Sequence, residues 1–251
     1  MGHNNNLISS SIILILLISS LLPFPVAFSD QDSGLIYNCT TIGKFTPGSD
    51  YQQSLLYVVD ELTAKAPLNN GFYNTTRAEG NNVTYGLALC RGDISADDCT
   101  NCLTTATMEV ANTDCLGYQG AIIWRDYCML KYSNLDFFGI IDEGNHYYLR
   151  SQDYTSPNFT APVLSLLSGL SETAILVPDK LFASGSVSPA TLPETFYAMV
   201  QCTRDISVAD CGNCLDYAIS YLATCCATKG GSRFVSGSCN VRYETYNFLN
   251  N

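Results

Sequence analysis

The sequence predicts an α+β protein built from two similar domains in tandem, each with helices packed on an antiparallel sheet. Three observations predict it. A cysteine pattern repeats, with Cys90, Cys99 and Cys102 recurring as Cys202, Cys211 and Cys214, each displaced by 112 residues. Both copies pass from amphipathic helical periodicity into strand-like runs separated by turns. Finally, only 14% of the residues are charged against 47% apolar, so the chain can bury a core and is not disordered by composition.

In chain order, the first element is a leader. Leu7 to Leu22 is an uncharged run rich in Leu and Ile, followed by Pro23, Pro25, Ala27 and Ser29, which reads as a signal peptide over 1–29. A retained signal anchor competes with this reading, because only the α-amine and His3 supply positive charge ahead of the run. The run falls short of the ~20 residues that span a ~30 Å hydrocarbon core, and its proline-containing exit favours cleavage. No later stretch is long and apolar enough to cross a bilayer, so the expected product is secreted, with no transmembrane segment after cleavage. Four Asn-x-Ser/Thr acceptors, Asn38, Asn74, Asn82 and Asn158, fit that route. Bridging of the adjacent Cys39 competes with glycan addition at Asn38.

The repeat then sets the domains: 30–150, a linker over 151–162 marked by Ser, Thr, Asn and two prolines, and 163–251. From Cys90 to Leu103, nine of fourteen positions are identical to Cys202 to Leu215. Each copy opens with a helix. Ser49 and Gln52 form a capping box ahead of Tyr51, Leu55, Val58, Val59 and Leu62, with Pro67 as the stop; Leu164, Leu167 and Leu170 have similar spacing in the second copy. Short strands follow at Tyr85–Cys90 and Phe196–Cys202. Ser95 with Asp98, and Ser207 with Asp210, cap a second helix whose Cys-x-x-Cys spacing puts both cysteines on one face. Strand pairs close each unit, Ala121–Trp124 with Tyr127–Tyr132 and Arg233–Val235 with Asn240–Tyr246.

Cys99-Thr-Asn-Cys102 and Cys211-Gly-Asn-Cys214 admit three uses: a zinc site, a thiol oxidoreductase, or structural disulfides. Export to an oxidising compartment favours bridges, and His146 as the single histidine after the leader leaves a Cys/His ligand set poorly supplied. A helix start lowers a thiol pKa, so geometry alone does not eliminate redox chemistry. No metal or cofactor is expected.

Cys, eight residues, Cys, two residues, Cys, present twice in an exported chain, resembles the plant ginkbilobin-type or stress-antifungal domain. Tandem copies resemble cysteine-rich repeat secretory proteins and the ectodomains of cysteine-rich receptor-like kinases. The resemblance covers nearly all of the chain after the leader and implies two helices against a five-stranded antiparallel sheet in each domain. It also implies bridges Cys39–Cys115, Cys90–Cys99, Cys102–Cys128, Cys202–Cys211 and Cys214–Cys239. Cys225 and Cys226 are left over, because no cysteine lies between Cys128 and Cys202 to answer Cys39. Adjacent Cα atoms lie ~3.8 Å apart, below the usual ~4.4–6.8 Å, so a vicinal bridge is strained; two buried free thiols are the alternative.

Charge and motif content narrow the function. Acidic residues outnumber basic ones 23 to 12, for a formal charge of −11, which disfavours nucleic acid, anionic membranes and acidic partners. His146 reads as a turn or strand residue outside the shared core, and no nucleophile elbow or phosphate loop accompanies it, so no enzyme is expected. Asp97 and Asp98 read as helix-capping charges. The resemblance implies a mannose site formed by an Asn after the first cysteine, an Arg before the last and a Glu beyond it. In the first domain these positions hold Thr40, Ile122 and Ser133. In the second they hold Arg233 and Glu244, with the Asn position near Ser151 or Gln152. A guanidinium and a carboxylate on one cleft suit adjacent sugar hydroxyls. An exposed cross-strand ion pair is the plainer reading of Arg233 and Glu244. Tyr127, Tyr132, Tyr147, Tyr148 and Tyr154 gather with Trp124, Phe137 and Phe138, and strand alternation places about half of them in the core. The expected role is recognition in the apoplast of an extracellular protein or cell-wall glycan, in stress sensing or defence. A mannose-binding antifungal lectin is the alternative, and a thiol redox protein centred on Cys225 and Cys226 a more distant one.

Overall fold

The computed structural model describes residues 35–40, 43–110, 115–151, 159–226 and 228–250. The expected leader, Asn158, Tyr154 and positions 152–158 of the expected linker lie outside these residues.

Two copies of one element order follow each other. The first is β1 (Ile36–Cys39), α1 (Asp50–Lys65), β2 (Phe72–Glu79), β3 (Asn82–Cys90), α2 (Ala96–Val110), β4 (Gly120–Trp124) and β5 (Cys128–Ser133). The second is β6 (His146–Arg150), α3 (Thr160–Ile175), β7 (Phe182–Val187), β8 (Phe196–Cys202), α4 (Val208–Cys225), β9 (Ser232–Ser236) and β10 (Cys239–Glu244). Each copy forms a five-stranded antiparallel sheet, in the orders β1-β4-β5-β3-β2 and β6-β9-β10-β8-β7.

The caps sit where the sequence supplies them. Ser49 Oγ accepts from the Gln52 amide, and Gln52 Oε1 accepts from the Gly48 amide at 2.6 Å. Ser95 and Ser207 accept from the amides of Asp98 and Asp210, both at 3.1 Å, and donate to the same aspartates' Oδ2, both at 2.7 Å. Repeated sequence thus gives repeated geometry at the start of α2 and α4, satisfying amides that a helix's first turn leaves unpaired.

Three sequence expectations need correction. The boundary at residue 150 assigns His146–Arg150 to the first domain, whereas β6 pairs with β9 and belongs to the second sheet. Its register, Leu149 opposite Arg233 and Arg150 opposite Ser232, matches that of β1, with Asn38 opposite Ile122 and Cys39 opposite Ala121. His146 is therefore part of the shared core architecture, and Arg150 stands where Cys39 stands. The strand's equivalence to β1 is obscured in the sequence because the cysteine that marks β1 is missing here. The expected linker also runs into α3, which begins at Thr160. Strands β2 and β7 carry no sequence signal, since β2 is a half-polar edge strand, Phe-Tyr-Asn-Thr-Thr-Arg-Ala-Glu, without an apolar face.

The helices of each copy cover one face of its sheet, and the other faces of the two sheets meet. Leu87, Leu89, Ile122, Trp124 and Met129 of the first copy pack there with Val235 of the second. Trp124 Nε1 donates to the Ser236 carbonyl at 2.9 Å, and Gln201 Nε2 to the Cys90 carbonyl at 2.9 Å. Coverage on both sides explains why β4, β5 and β9 are buried at every position, where one solvated face would leave alternate residues exposed. All twelve cysteines are bridged: Cys39–Cys115, Cys90–Cys99, Cys102–Cys128, Cys202–Cys211, Cys214–Cys239 and the vicinal pair Cys225–Cys226.

Candidate functional site

The β9–β10 hairpin turns at Gly237 and sets Arg233 directly opposite Arg242. Two cations facing across a ladder repel. Asp126, in the turn between β4 and β5, lies between them: Arg233 Nη1 donates to Oδ1 at 2.8 Å and Arg242 Nη1 to Oδ2 at 3.4 Å. Arg233 also donates from Nη2 to the Arg125 carbonyl at 2.8 Å and from Nε to Asn240 Oδ1 at 3.3 Å. All three of its nitrogens are engaged, and the residue is 4% exposed.

Glu244 follows on the same face of β10. It pairs with Arg242, whose Nε donates to Oε1 at 3.0 Å. The expected exposed cross-strand pair is thus replaced by a chain with buried arginines and half-buried acids, Arg233–Asp126–Arg242–Glu244, running from the second copy into the first and back. Burial raises the Glu244 pKa above the ordinary carboxylate value, and the Arg242 charge opposes that rise. Tyr246 accepts from Arg242 Nη2 at 2.7 Å, and the Phe248 ring lies 4.3 Å beneath the guanidinium. Beyond it, the Phe248 carbonyl accepts from Arg91 Nη2 at 3.0 Å and the Asn250 amide donates to Asp93 at 2.9 Å, fastening the last residues described to the first copy.

Ser151, Arg233, Arg242 and Glu244 line one cleft of about 250 Å³, with Asp126 as its first-copy wall. Ser151 Oγ accepts from the Gly231 amide at 2.8 Å, and no Asn is present at that position. The Glu244 carboxylate packs against the bare Cα of Gly231, where a Cβ would lie 1.8 Å from Oε2 and would push the carboxylate aside. In the first copy, Ile122 is buried between the sheets and Thr40 Oγ1 is buried, so the equivalent positions form no polar cleft. Asp126 escapes sequence reading because it belongs to the other copy. The available signal is a turn acid where the second copy has Gly237.

The remaining sequence candidates are dispersed. His146 Nδ1 meets the Glu143 carbonyl at 2.7 Å and its ring stacks on Phe234 at 5.2 Å. Asn38 Nδ2 donates to Asn145 Oδ1 at 2.9 Å, while Asn74 and Asn82 lie on the hairpin β2–β3 at the outer edge of the first sheet. Among the described residues no cluster of His, Cys, Asp or Glu could hold a metal ion, and no helix is long and apolar enough to cross a membrane.

Comparison with known proteins assigns this architecture. The family model for salt stress response/antifungal domains matches twice, over residues 38–135 and 148–246. The chain belongs to this family. Its second match opens inside β6, in keeping with the strand's place in the second sheet. Family members similar to the chain include an antimicrobial ginkbilobin-2-like protein of Castanea crenata, 44% identical over 86% of this chain and 88% of that protein. Cysteine-rich repeat secretory protein 38 of Arabidopsis thaliana is 38% identical over 88% of each chain. In fold, the chain is similar to the crystal structure of the tandem DUF26 ectodomain of the Arabidopsis thaliana cysteine-rich receptor-like protein PDLP8. That match has a TM-score of 0.72, covers 84% of this chain and 98% of that one, and is 20% identical in sequence.

Proposed function

We propose that the protein acts outside the cell, in the apoplast, as a non-enzymatic recognition module of stress sensing or defence. It engages an extracellular protein or a cell-wall glycan. Complete cysteine bridging supports export, because such bridges persist in oxidising compartments. Names of relatives as secretory and antimicrobial proteins support the same setting. N-linked glycans at Asn74 and Asn82 fit the outer edge of the first sheet, where they would shield an unpaired strand.

The observation that carries this reading is the commitment of Arg233 to Asp126 and the Arg125 carbonyl. A guanidinium whose three nitrogens are already engaged holds the repeats in one relation and is poorly available to a sugar hydroxyl. The lectin reading draws support from one feature: Ser151, Arg233 and Glu244 share a cleft large enough for a single sugar. Glycan-array binding of the intact protein separates the two. The expected result is no signal on mannose-type glycans. A mannose signal abolished by R233A or E244A would make the cleft a sugar site.

A further inference from the structure

The outer face of the second repeat carries an aromatic cluster that the cleft does not involve. Tyr217 and Tyr221 stand one turn apart on α4, and Tyr148 reaches them from the neighbouring strand β6. Tyr148 and Tyr221 have ring centroids 5.3 Å apart, and Tyr217 and Tyr221 are 6.4 Å apart. His146 lies among them, 6.1 Å from Tyr217 and 5.5 Å from Tyr221, over the fully buried Phe234. Tyr148 and Tyr217 remain 42% and 40% exposed, so the cluster covers Phe234 and still faces solvent.

The first repeat is an internal control. By the repeat's offset, its counterparts of Tyr217, Tyr221 and Phe234 are Thr105, Glu109 and Ile123. Glu109 there pairs with Arg125. Tyr148 has an aromatic counterpart, Tyr37, opposite Ile123 as Tyr148 is opposite Phe234, but the helix side of the contact forms without rings, so the fold itself does not require Tyr217 and Tyr221 at this place.

We propose that this cluster is a stacking platform for a neutral, glucan-type polysaccharide. Pyranoses with equatorial hydroxyls present C–H-lined faces that rest on aromatic rings, and their edge hydroxyls find partners in phenol groups that both donate and accept. His146 adds an acceptor, because the Glu143 carbonyl requires the proton on Nδ1 and leaves Nε2 for a donor. Charge selects within the sugars. Arg150 stacks over the Tyr148 ring at 6.0 Å, but a chain of net charge −11 repels a polyuronate. An axial hydroxyl, as in mannose, interrupts one stacking face. The inference rests on the recognition role proposed above and names its ligand.

The test is native-gel retardation of the full chain by hydroxyethyl cellulose, with yeast mannan and polygalacturonate in parallel gels. Hydroxyethyl cellulose should retard the wild type more than either comparison polymer. Y148A and Y217A should weaken that retardation at least about tenfold, the scale of truncating an aromatic anchor, while Y217F keeps most of it. Thermal melts confirm folding, and the exposure of both residues makes each variant tolerable. Absence of retardation, or retardation unchanged in Y148A and Y217A, overturns the platform. Cross-linking to an extracellular protein without polysaccharide retardation also overturns it while the recognition role stands; mannan binding lost in R233A replaces both with the lectin reading.

Discussion

Asp126 of the first repeat lies 2.8 Å from Arg233 of the second. The same carboxylate reaches Arg242 at 3.4 Å, so one acid separates two guanidiniums that face each other across the β9–β10 ladder. Neither arginine has an acidic neighbour on the opposing strand position, and the hairpin depends on a residue more than a hundred positions away. The repeats are thus electrostatically interdependent as well as packed through Trp124 and its neighbours.

Removing that carboxylate should be expensive. In D126A, Arg233 and Arg242 would confront each other with side chains only 5% and 9% exposed, a loss on the order of 3 kcal/mol for a buried ion pair deprived of one member. D126N keeps an acceptor and should lose less. Trp124 is the chain's single tryptophan and sits at the sheet interface, so its fluorescence during urea unfolding reports the effect directly. An unchanged midpoint in D126A would show that the clasp contributes nothing to stability.

Glu244 gives the cleft a pH dependence. Burial raises its folded-state pKa above the unfolded value, with Arg242 opposing. A raised carboxylate binds its proton more readily in the folded state. Its contribution to stability is therefore fully present below about pH 4.3, the unfolded value, and is lost as pH rises through the folded one. E244Q cannot titrate. Urea midpoints measured from pH 4 upward should show wild type losing ground to E244Q across that window; parallel curves would contradict it.

What the sequence discloses follows from which forces are local. Caps at Ser49, Ser95 and Ser207, and the cysteine faces of α2 and α4, depend on residues three or four apart, and each is legible. The place of strand β6 in the second sheet is not, because Arg150 replaces the cysteine that marks β1 and only its pairing with β9 reveals the equivalence. The role of Arg233 is illegible for a related reason. Its type and position announce a polar site, but its partner Asp126 belongs to the other repeat and no sequence spacing links the two.

Two glycines make opposite predictions. A Cβ at Gly86 would lie 2.2 Å from Val58 Cγ1 and 2.9 Å from Leu62 Cδ1, where α1 rests on β3. G86A should destabilise by about 1–3 kcal/mol through overpacking. Gly212 lies inside α4, and a Cβ there meets nothing within 4 Å. G212A should stabilise by roughly 0.5–1 kcal/mol, since glycine is the poorer helix former. Thermal melts of the two variants should shift in opposite directions, and a shared direction would refute this account of the helix seats.

The missing bridge of the second repeat can be restored. Cys39–Cys115 spans a separation of 76 residues, and the separation from Arg150 to Cys226 is the same, 226 − 150 = 76. Arg150 occupies the Cys39 position in the sheet register, and Cys226, like Cys115, is fully buried at the equivalent point beyond its helix. Cys226 is at present bonded to Cys225. That bridge joins adjacent residues and closes almost no loop, so it constrains the unfolded chain little. In the double variant R150C/C225A, Cys226 should bond the new thiol at position 150, and in the chain-entropy model a loop of that length contributes on the order of 4 kcal/mol. Peptide mapping without reductant should recover position 150 linked to Cys226, and the urea midpoint should rise above that of C225A alone. Two titratable thiols in the folded double variant would mean that the second repeat has diverged from the first at this seam.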